Sequence, residues 1–227
     1  MARIERTDVQ ISLENAVLRG MLSLPVEPIG VVVFAHGSGS GRNSPRNKYV
    51  AQVLNDAGLA TLLFDLLTAD EERVDLAIAH LRFDIDLLAE RLMSGVEWVR
   101  REQHTSGHPI GLFGASTGAA AALQVAARAP EEIDAVVSRG GRPDLALDHL
   151  PRVTAPTLLI VGSEDHHVIP LNQQALDAMT CERAMELVPG ATHLFEENGA
   201  LEQAARLAAD WFVRHLAAAT RASRGAG

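Results

Sequence analysis

Two hydrophobic rhythms alternate along the chain. Nearly unbroken apolar runs occupy residues 30–35, 60–65, 110–113, 135–138 and 156–161. Between them, apolar positions return every three or four residues, as at Leu81, Ile85, Leu88, Leu92, Val96 and Val99. A short run that is apolar throughout reads as a strand covered on both faces, as in a parallel sheet. The 3.6-residue period marks a helix with one face on a core. The pattern predicts strands at those runs and a shorter one at 184–188. Helices are expected at 48–57, from about Leu81 to Arg101 with room for a short helix ahead of it, and at 119–129, 170–179 and 199–217. Residues 9–13 and 16–24 alternate apolar with polar positions and read as an antiparallel hairpin at a sheet edge. Strands alternating with helices give an α/β fold: a doubly wound, mostly parallel central sheet with an antiparallel N-terminal hairpin.

Composition narrows the picture. The 227 residues, 47% hydrophobic and 22% charged, are ordinary globular material and can bury one core. We expect a single domain over 1–220 and a frayed tail over 221–227. A formal net charge of -9 argues against nucleic-acid binding. No apolar stretch reaches the roughly 18 residues of a membrane span, and MARIERTDVQ has no signal-peptide core. The single cysteine, Cys181, suits a reducing cytoplasm. Self-association as a homodimer stays open.

The chemistry enters at Gly114-Ala115-Ser116-Thr117-Gly118. This G-x-S-x-G pattern directly follows an apolar strand and directly precedes an alanine-rich helix. In that context it is a sharp turn with a serine at its apex, held in a strained conformation. The five residues alone are weak evidence, because a glycine-flanked serine also suits any tight strand–helix turn. The partners of the serine decide.

A serine hydroxyl needs a base, usually a histidine oriented by a carboxylate. The strand at 156–161 runs into Gly162-Ser163-Glu164-Asp165, which puts an acid at the edge where open α/β sheets collect their binding groups. Asp165 is preferred to Glu164. Of the histidines that follow, His166 and His167 adjoin Asp165 too closely to face it, and His215 lies deep in the last amphipathic helix. His193 follows the last strand and a Pro189-Gly190 turn, which places it on a loop at the same edge. It is the expected base.

The strand at 30–35 ends in His36-Gly37-Ser38-Gly39-Ser40-Gly41, a loop that lets backbone pass close to a reacting carbonyl. Two backbone N–H groups, one from Ser38 or Gly39 and one from Thr117, are the expected oxyanion donors. A phosphate-binding reading is weaker, since neither the Walker pattern nor a dinucleotide fingerprint is matched.

Together, VVVFAHGSGSGRNSPRN, TLLFDLL, IGLFGASTGAA, PTLLIVGSEDHHV and LVPGATHLFEE resemble the α/β-hydrolase superfamily and, within it, the small dienelactone-hydrolase-like group. The resemblance covers nearly the whole chain. It implies a cofactor-free hydrolase with nucleophile Ser116, acid Asp165 and base His193. Dienelactone hydrolases proper carry a cysteine nucleophile where this chain has Ser116, and Cys181 lies far from the elbow in sequence. The lactone substrate is therefore not implied, and esters or thioesters are the expected class.

Only residues 139–155 separate the strand at 135–138 from the next, too few for a large lid. Small soluble esters are expected, with residues 66–80 as a candidate flap. Arg42, Arg46, Arg139 and Arg142 follow strand ends and suit recognition of a substrate anion, with Arg139 first. The plainer reading of each is a salt bridge with Asp65, Asp70 or Asp144. No spaced third ligand joins Asp165, His166 and His167, so no metal is expected. The same residues would also serve acyl transfer to another acceptor, peptidase action or perhydrolysis, and a non-catalytic binding protein on this fold stays open.

Overall fold

The computed structural model describes residues 4–225. Its centre is an 8-stranded sheet: β1 (Ile4–Ser12), β2 (Val17–Pro25), β3 (Val31–Ala35), β4 (Ala60–Phe64), β5 (Ile110–Ala115), β6 (Ala135–Arg139), β7 (Thr157–Gly162) and β8 (Arg183–Val188). Their order across the sheet is β1-β2-β4-β3-β5-β6-β7-β8. β2 is antiparallel to both its neighbours, and from β4 to β8 every pairing is parallel. The expected fold class is observed.

The helices are α1 (Pro45–Asp56), α2 (Ala69–Ile78), α3 (Ile85–Arg101), α4 (Thr117–Arg128), α5 (Ile169–Ala178) and α6 (Ala200–Gly225). Side chains alternate across each strand, so the sheet feeds two cores. Val31, Val33, Leu112, Val136 and Leu159 join the layer containing α3 and α4. Val32, Phe34, Phe113, Val137, Leu158 and Ile160 join the layer of α1 and α6. Both faces are covered, which is why these strands read as continuous apolar runs rather than alternating ones.

Helix ends differ from expectation where capping, rather than hydrophobic period, sets the boundary. α1 begins at Pro45, ahead of the expected Lys48, because the Ser44 side chain accepts the Asn47 N–H and Pro45 occupies the first helical turn. α3 begins at Ile85 rather than Leu81, since the Asp84 carboxylate accepts the Leu87 N–H at 3.0 Å. Leu81–Phe83 forms a separate 3₁₀ turn. α2 is the short helix ahead of it, started by a reciprocal Thr68–Glu71 capping box. α6 runs on to Gly225 through an alanine-rich segment of high helix propensity, so residues 221–225 are helical where fraying was expected. Residues 226–227 lie outside the described residues. Among the described residues, no helix is long and apolar enough to cross a membrane.

The winding fixes where a site belongs. From β3 the chain moves outward to β4, then returns across β3 to β5. Strand order therefore reverses between β3 and β5. The loops leaving their C-terminal ends diverge and open a crevice there. Those loops are 36–44 and the turn at Ser116.

Candidate active site

Ser116 sits at that reversal with φ 52° and ψ −122°, a left-handed-side conformation rare for a side-chain-bearing residue. Such backbone costs on the order of 1–3 kcal/mol and persists only where its surroundings enforce it. The enforcement is visible. The Ser116 carbonyl accepts N–H groups of Ala119 and Arg142, each at 3.1 Å, and strand β5 is locked to β6 beside it. The flanking glycines are required by close approach. A Cβ on Gly114 would lie 2.4 Å from the Ala119 Cα, and one on Gly118 only 2.2 Å from the Ala35 carbonyl oxygen. Helix α4 thus abuts the end of β3, and its N-terminal turn lies beside the 36–41 loop.

Asp165 and His193 meet across separate loops. Asp165 starts the turn after β7, where its carbonyl accepts the Val168 and Ile169 N–H groups at 2.9 and 3.1 Å. His193 lies on the loop after β8. Its Nδ1 is 2.7 Å from Asp165 Oδ2. The carboxylate accepts, so Nδ1 carries a proton, and in the neutral ring that tautomer makes Nε2 the acceptor. The Asp165 side chain is only 9% exposed and that of His193 38%. Glu164 points elsewhere, with Oε2 3.4 Å from His166 Nε2. His167 is exposed. His215 is nearly buried against Trp211, with ring centroids 4.5 Å apart.

Ser116 and His193 are walls of one cleft of about 210 Å³, with Gly37, Ser38, Arg46, Asn47, Arg139 and Leu194 among the other lining residues. Among the described hydrogen bonds none joins the Ser116 hydroxyl to the imidazole, a spacing common before substrate closes a site. Of the expected oxyanion donors, Ser38 lines both this cleft and an adjoining cavity of about 60 Å³, while Gly39 and Thr117 line only the adjoining cavity. The Ser38 hydroxyl lies 3.1 Å from that of Thr117, which ties the loop to the first residue of α4. The Thr117 N–H, at a helix N-terminus, has no intrahelical acceptor.

His36 anchors the loop from below. Its Nε2 accepts the Leu66 N–H at 2.9 Å, so the neutral ring carries its proton on Nδ1, 3.0 Å from the Gly37 carbonyl. Burial holds its pKa below the ordinary imidazole value, against smaller opposing pulls from the Gly37 carbonyl, Asp65 and Glu72.

The arginines separate. Arg42, expected among the substrate-binding residues, instead binds Asp65 through both its backbone N–H and its guanidinium and is not among the cleft-lining residues. Arg142 forms a two-pronged pair with Asp144, both contacts at 2.8 Å. Arg46 lines the cleft and is paired with Glu196 at 2.9 Å. Arg139 is 7% exposed, and its Nε and Nη1 have no hydrogen-bond partner. Its guanidinium lies 5.9 Å from the Phe113 ring centre and 5.8 Å from that of Phe195. Burial, aided by nearby Arg46, brings its pKa down to about 10, which still leaves it cationic at neutral pH.

Gly37 and Asn47 are cleft residues that sequence reasoning missed. A Cβ on Gly37 would lie 2.9 Å from the Ser116 Cβ. Asn47 is buried in the first turn of α1, and the Ser44-Pro45 start signal would have placed it there.

The sheet order, the strained serine turn and the loops around it define an α/β-hydrolase fold. The chain belongs to the Dienelactone hydrolase family, whose model matches residues 18–220. It is 52% identical to a dienelactone hydrolase from Anabaena variabilis of known structure, with a TM-score of 0.92 over 94% of this chain and 99% of that one. Est1E from Butyrivibrio proteoclasticus shares the fold at 16% identity, with a TM-score of 0.79 over 92% of this chain and 99% of its own. A Mycobacterium tuberculosis protein, provisionally named a phosphoribosyl transferase, is 54% identical over 92% of this chain. The match spans 46% of that protein, so this chain is about half the length of its curated relatives.

Proposed function

We propose that this protein is a serine hydrolase of small carboxylic esters or thioesters, acting through Ser116, His193 and Asp165 and an acyl-enzyme. The observation that carries the reading is the strained Ser116 sharing one cleft with a histidine whose far nitrogen is held by a carboxylate at 2.7 Å. Membership of a hydrolase family supports it.

In this reading His193 Nε2 takes the hydroxyl proton as Ser116 Oγ attacks the carbonyl carbon. Asp165 fixes the proton on Nδ1 and stabilises the imidazolium that forms. The carbonyl π electrons move onto oxygen, which the backbone N–H groups of Ser38 and Thr117 stabilise. Collapse expels the alcohol or thiol, which takes the proton from His193. Water then repeats the sequence on the acyl-serine and frees the acid. Ser38 is the preferred first donor because it borders both the Ser116 cleft and the adjoining cavity, where its hydroxyl lies 3.1 Å from that of Thr117. The cleft is smaller than the roughly 300 Å³ at which drug-sized pockets begin, which favours small substrates. The phosphoribosyl transferase in the mycobacterial name belongs to proteins about twice as long and is not carried to this chain. A cytoplasmic setting, suited to a lone cysteine, is part of the same proposal.

Turnover of 4-nitrophenyl acetate and butyrate with added hydroxylamine or methanol tests this. A nitrophenol burst and partition of product between acid and the added acceptor are expected of an acyl-enzyme. Nitrophenol release with no partition would contradict it.

A further inference from the structure

Asn172 is a fully buried amide in α5 that is only half satisfied. Its Nδ2 donates to the Gly141 carbonyl at 3.1 Å and to the Val168 carbonyl at 2.9 Å. Its Oδ1 is enclosed and, among the described residues, accepts no hydrogen bond. The two carbonyls fix the amide's orientation, because turning it over would set oxygen against oxygen. An unpaired buried acceptor is costly, and a leucine of similar volume would avoid that cost. What the asparagine offers in return is its pair of N–H groups.

Those groups hold two turns together. The first is 140–142. Its Arg142 N–H donates to the Ser116 carbonyl at 3.1 Å. A Cβ on Gly140 would lie 3.1 Å from the His193 carbonyl oxygen and 3.8 Å from the imidazole Cε1. This turn therefore braces the nucleophile on one side and borders the base on the other. The second is the turn after β7. Val168, whose carbonyl accepts from Asn172, donates its own N–H to the Asp165 carbonyl at 2.9 Å. One side-chain amide thus links the turn carrying the acid to the turn that supports the serine.

We propose that Asn172 is a positioning residue, clamping the 140–142 turn to the Asp165 turn and so setting the spacing between Ser116 and the Asp165–His193 pair. The inference rests on the hydrolase reading and deepens it. Asn172 is not among the cleft-lining residues, so it acts through Gly141 and Arg142 rather than on substrate. The strained backbone of Ser116 persists only while its surroundings enforce it, and the Arg142 N–H is part of that enforcement.

The test uses three variants. Asn172→Leu keeps the volume and removes both donors. Asn172→Ala removes the donors without adding bulk. Ala175→Gly, also fully buried in α5, weakens the helix without touching either turn and is the stability control. The readouts are the rate of fluorophosphonate labelling, kcat and KM for 4-nitrophenyl butyrate, and amide hydrogen exchange in peptides covering 114–123 and 139–145. Labelling rate and kcat are expected to fall by about tenfold or more in both Asn172 variants, since a misplacement of about 1 Å can cost 10²-fold. KM should stay unchanged, as for a group that shapes only the reacting geometry. Exchange should rise in both peptides. Ala175→Gly should melt earlier yet label and turn over like wild type. Asn172 variants that melt earlier but label and turn over like wild type would reduce the residue to a packing role and overturn the proposal. A folded wild type that neither labels nor turns over defeats the hydrolase reading instead. Exchange then decides the clamp: faster exchange at 139–145 in the Asn172 variants but not in Ala175→Gly upholds it, and unchanged exchange overturns it. If Asn172→Leu does not fold, Asn172→Ala carries every comparison.

Discussion

Replacing Gly118 with alanine sets two effects against each other. Gly118 is the second residue of α4, where alanine is favoured over glycine by about 1 kcal/mol on helix propensity. Against that, the new methyl would sit 2.2 Å from the Ala35 carbonyl oxygen and 2.6 Å from both the Ala35 carbonyl carbon and the His36 carbonyl oxygen. These are backbone atoms of a fully buried central strand and of the loop beside it, and they have no rotamer to retreat into. Restoring ordinary contact requires about 1 Å of separation between α4 and β3. Overpacking of this kind costs about 1–3 kcal/mol, and here it falls at the stiff end of that range. After the propensity gain we expect a net loss of about 2 kcal/mol, or roughly 4–8 °C in Tm for a chain of this size. The same displacement moves Ser116 against the Ser38 loop, and a 1 Å misplacement costs about 10²-fold in kcat. Gly107→Ala is the control. Nothing lies within 4 Å of its Cβ position, so only its φ of +78° is strained, at about 1 kcal/mol and with no effect on turnover. Thermal melts and 4-nitrophenyl butyrate kinetics on both variants decide. A Gly118→Ala protein that is more stable than wild type and equally active would refute the close-approach argument.

Three further outcomes are expected. Asp165→Asn should fold normally and lower kcat by about 10⁴-fold, because the amide NH2 can donate to the imidazole and hold it in the wrong tautomer; loss under tenfold in ester assays would remove Asp165 from the mechanism. His36 and His215 are both held below the ordinary 6.5, chiefly by burial. The unfolded chain therefore binds more protons than the folded one as pH falls below 6.5. Their contribution is intact above that value and declines below it, so urea midpoints should drop from pH 7 to 5.5 and drop less in a His36→Gln/His215→Gln protein; equal slopes would contradict this. Asp75 is the buried residue of α2, and it accepts from Arg82 Nε and from the Arg82 backbone N–H at 2.5 and 3.2 Å. Asp75→Ala should raise hydrogen exchange across 69–83 with little change elsewhere; uniform protection would show that this segment is held by other contacts.

Much of this architecture was legible because each parallel strand is buried on both faces. Val31–Ala35, Ala60–Phe64 and Thr157–Gly162 announced themselves within a residue. Boundaries went astray where polar caps rule. Ser44-Pro45 and Asp84 moved helix starts against the apolar period, and the alanine-rich end of α6 kept helical propensity without a pattern to read. The pairing of Asp165 with His193 followed from loop order along the sheet edge. The fates of the arginines did not. Arg42 and Arg139 look alike in sequence, and only the positions of Asp65, Phe113 and Phe195 in space separate a salt bridge from an unpaired buried cation. Gly37 was hidden for a similar reason, since its constraint comes from Ser116, distant in the chain.

The central claim is that Ser116 is an activated nucleophile. Intact mass after exposure to a fluorophosphonate, on wild type and Ser116→Ala, measures it most directly. The account predicts one adduct on wild type, none on the variant, and loss of 4-nitrophenyl ester turnover in the variant. A folded wild-type protein that takes no adduct, or a Ser116→Ala protein that is labelled and active like wild type, would contradict it.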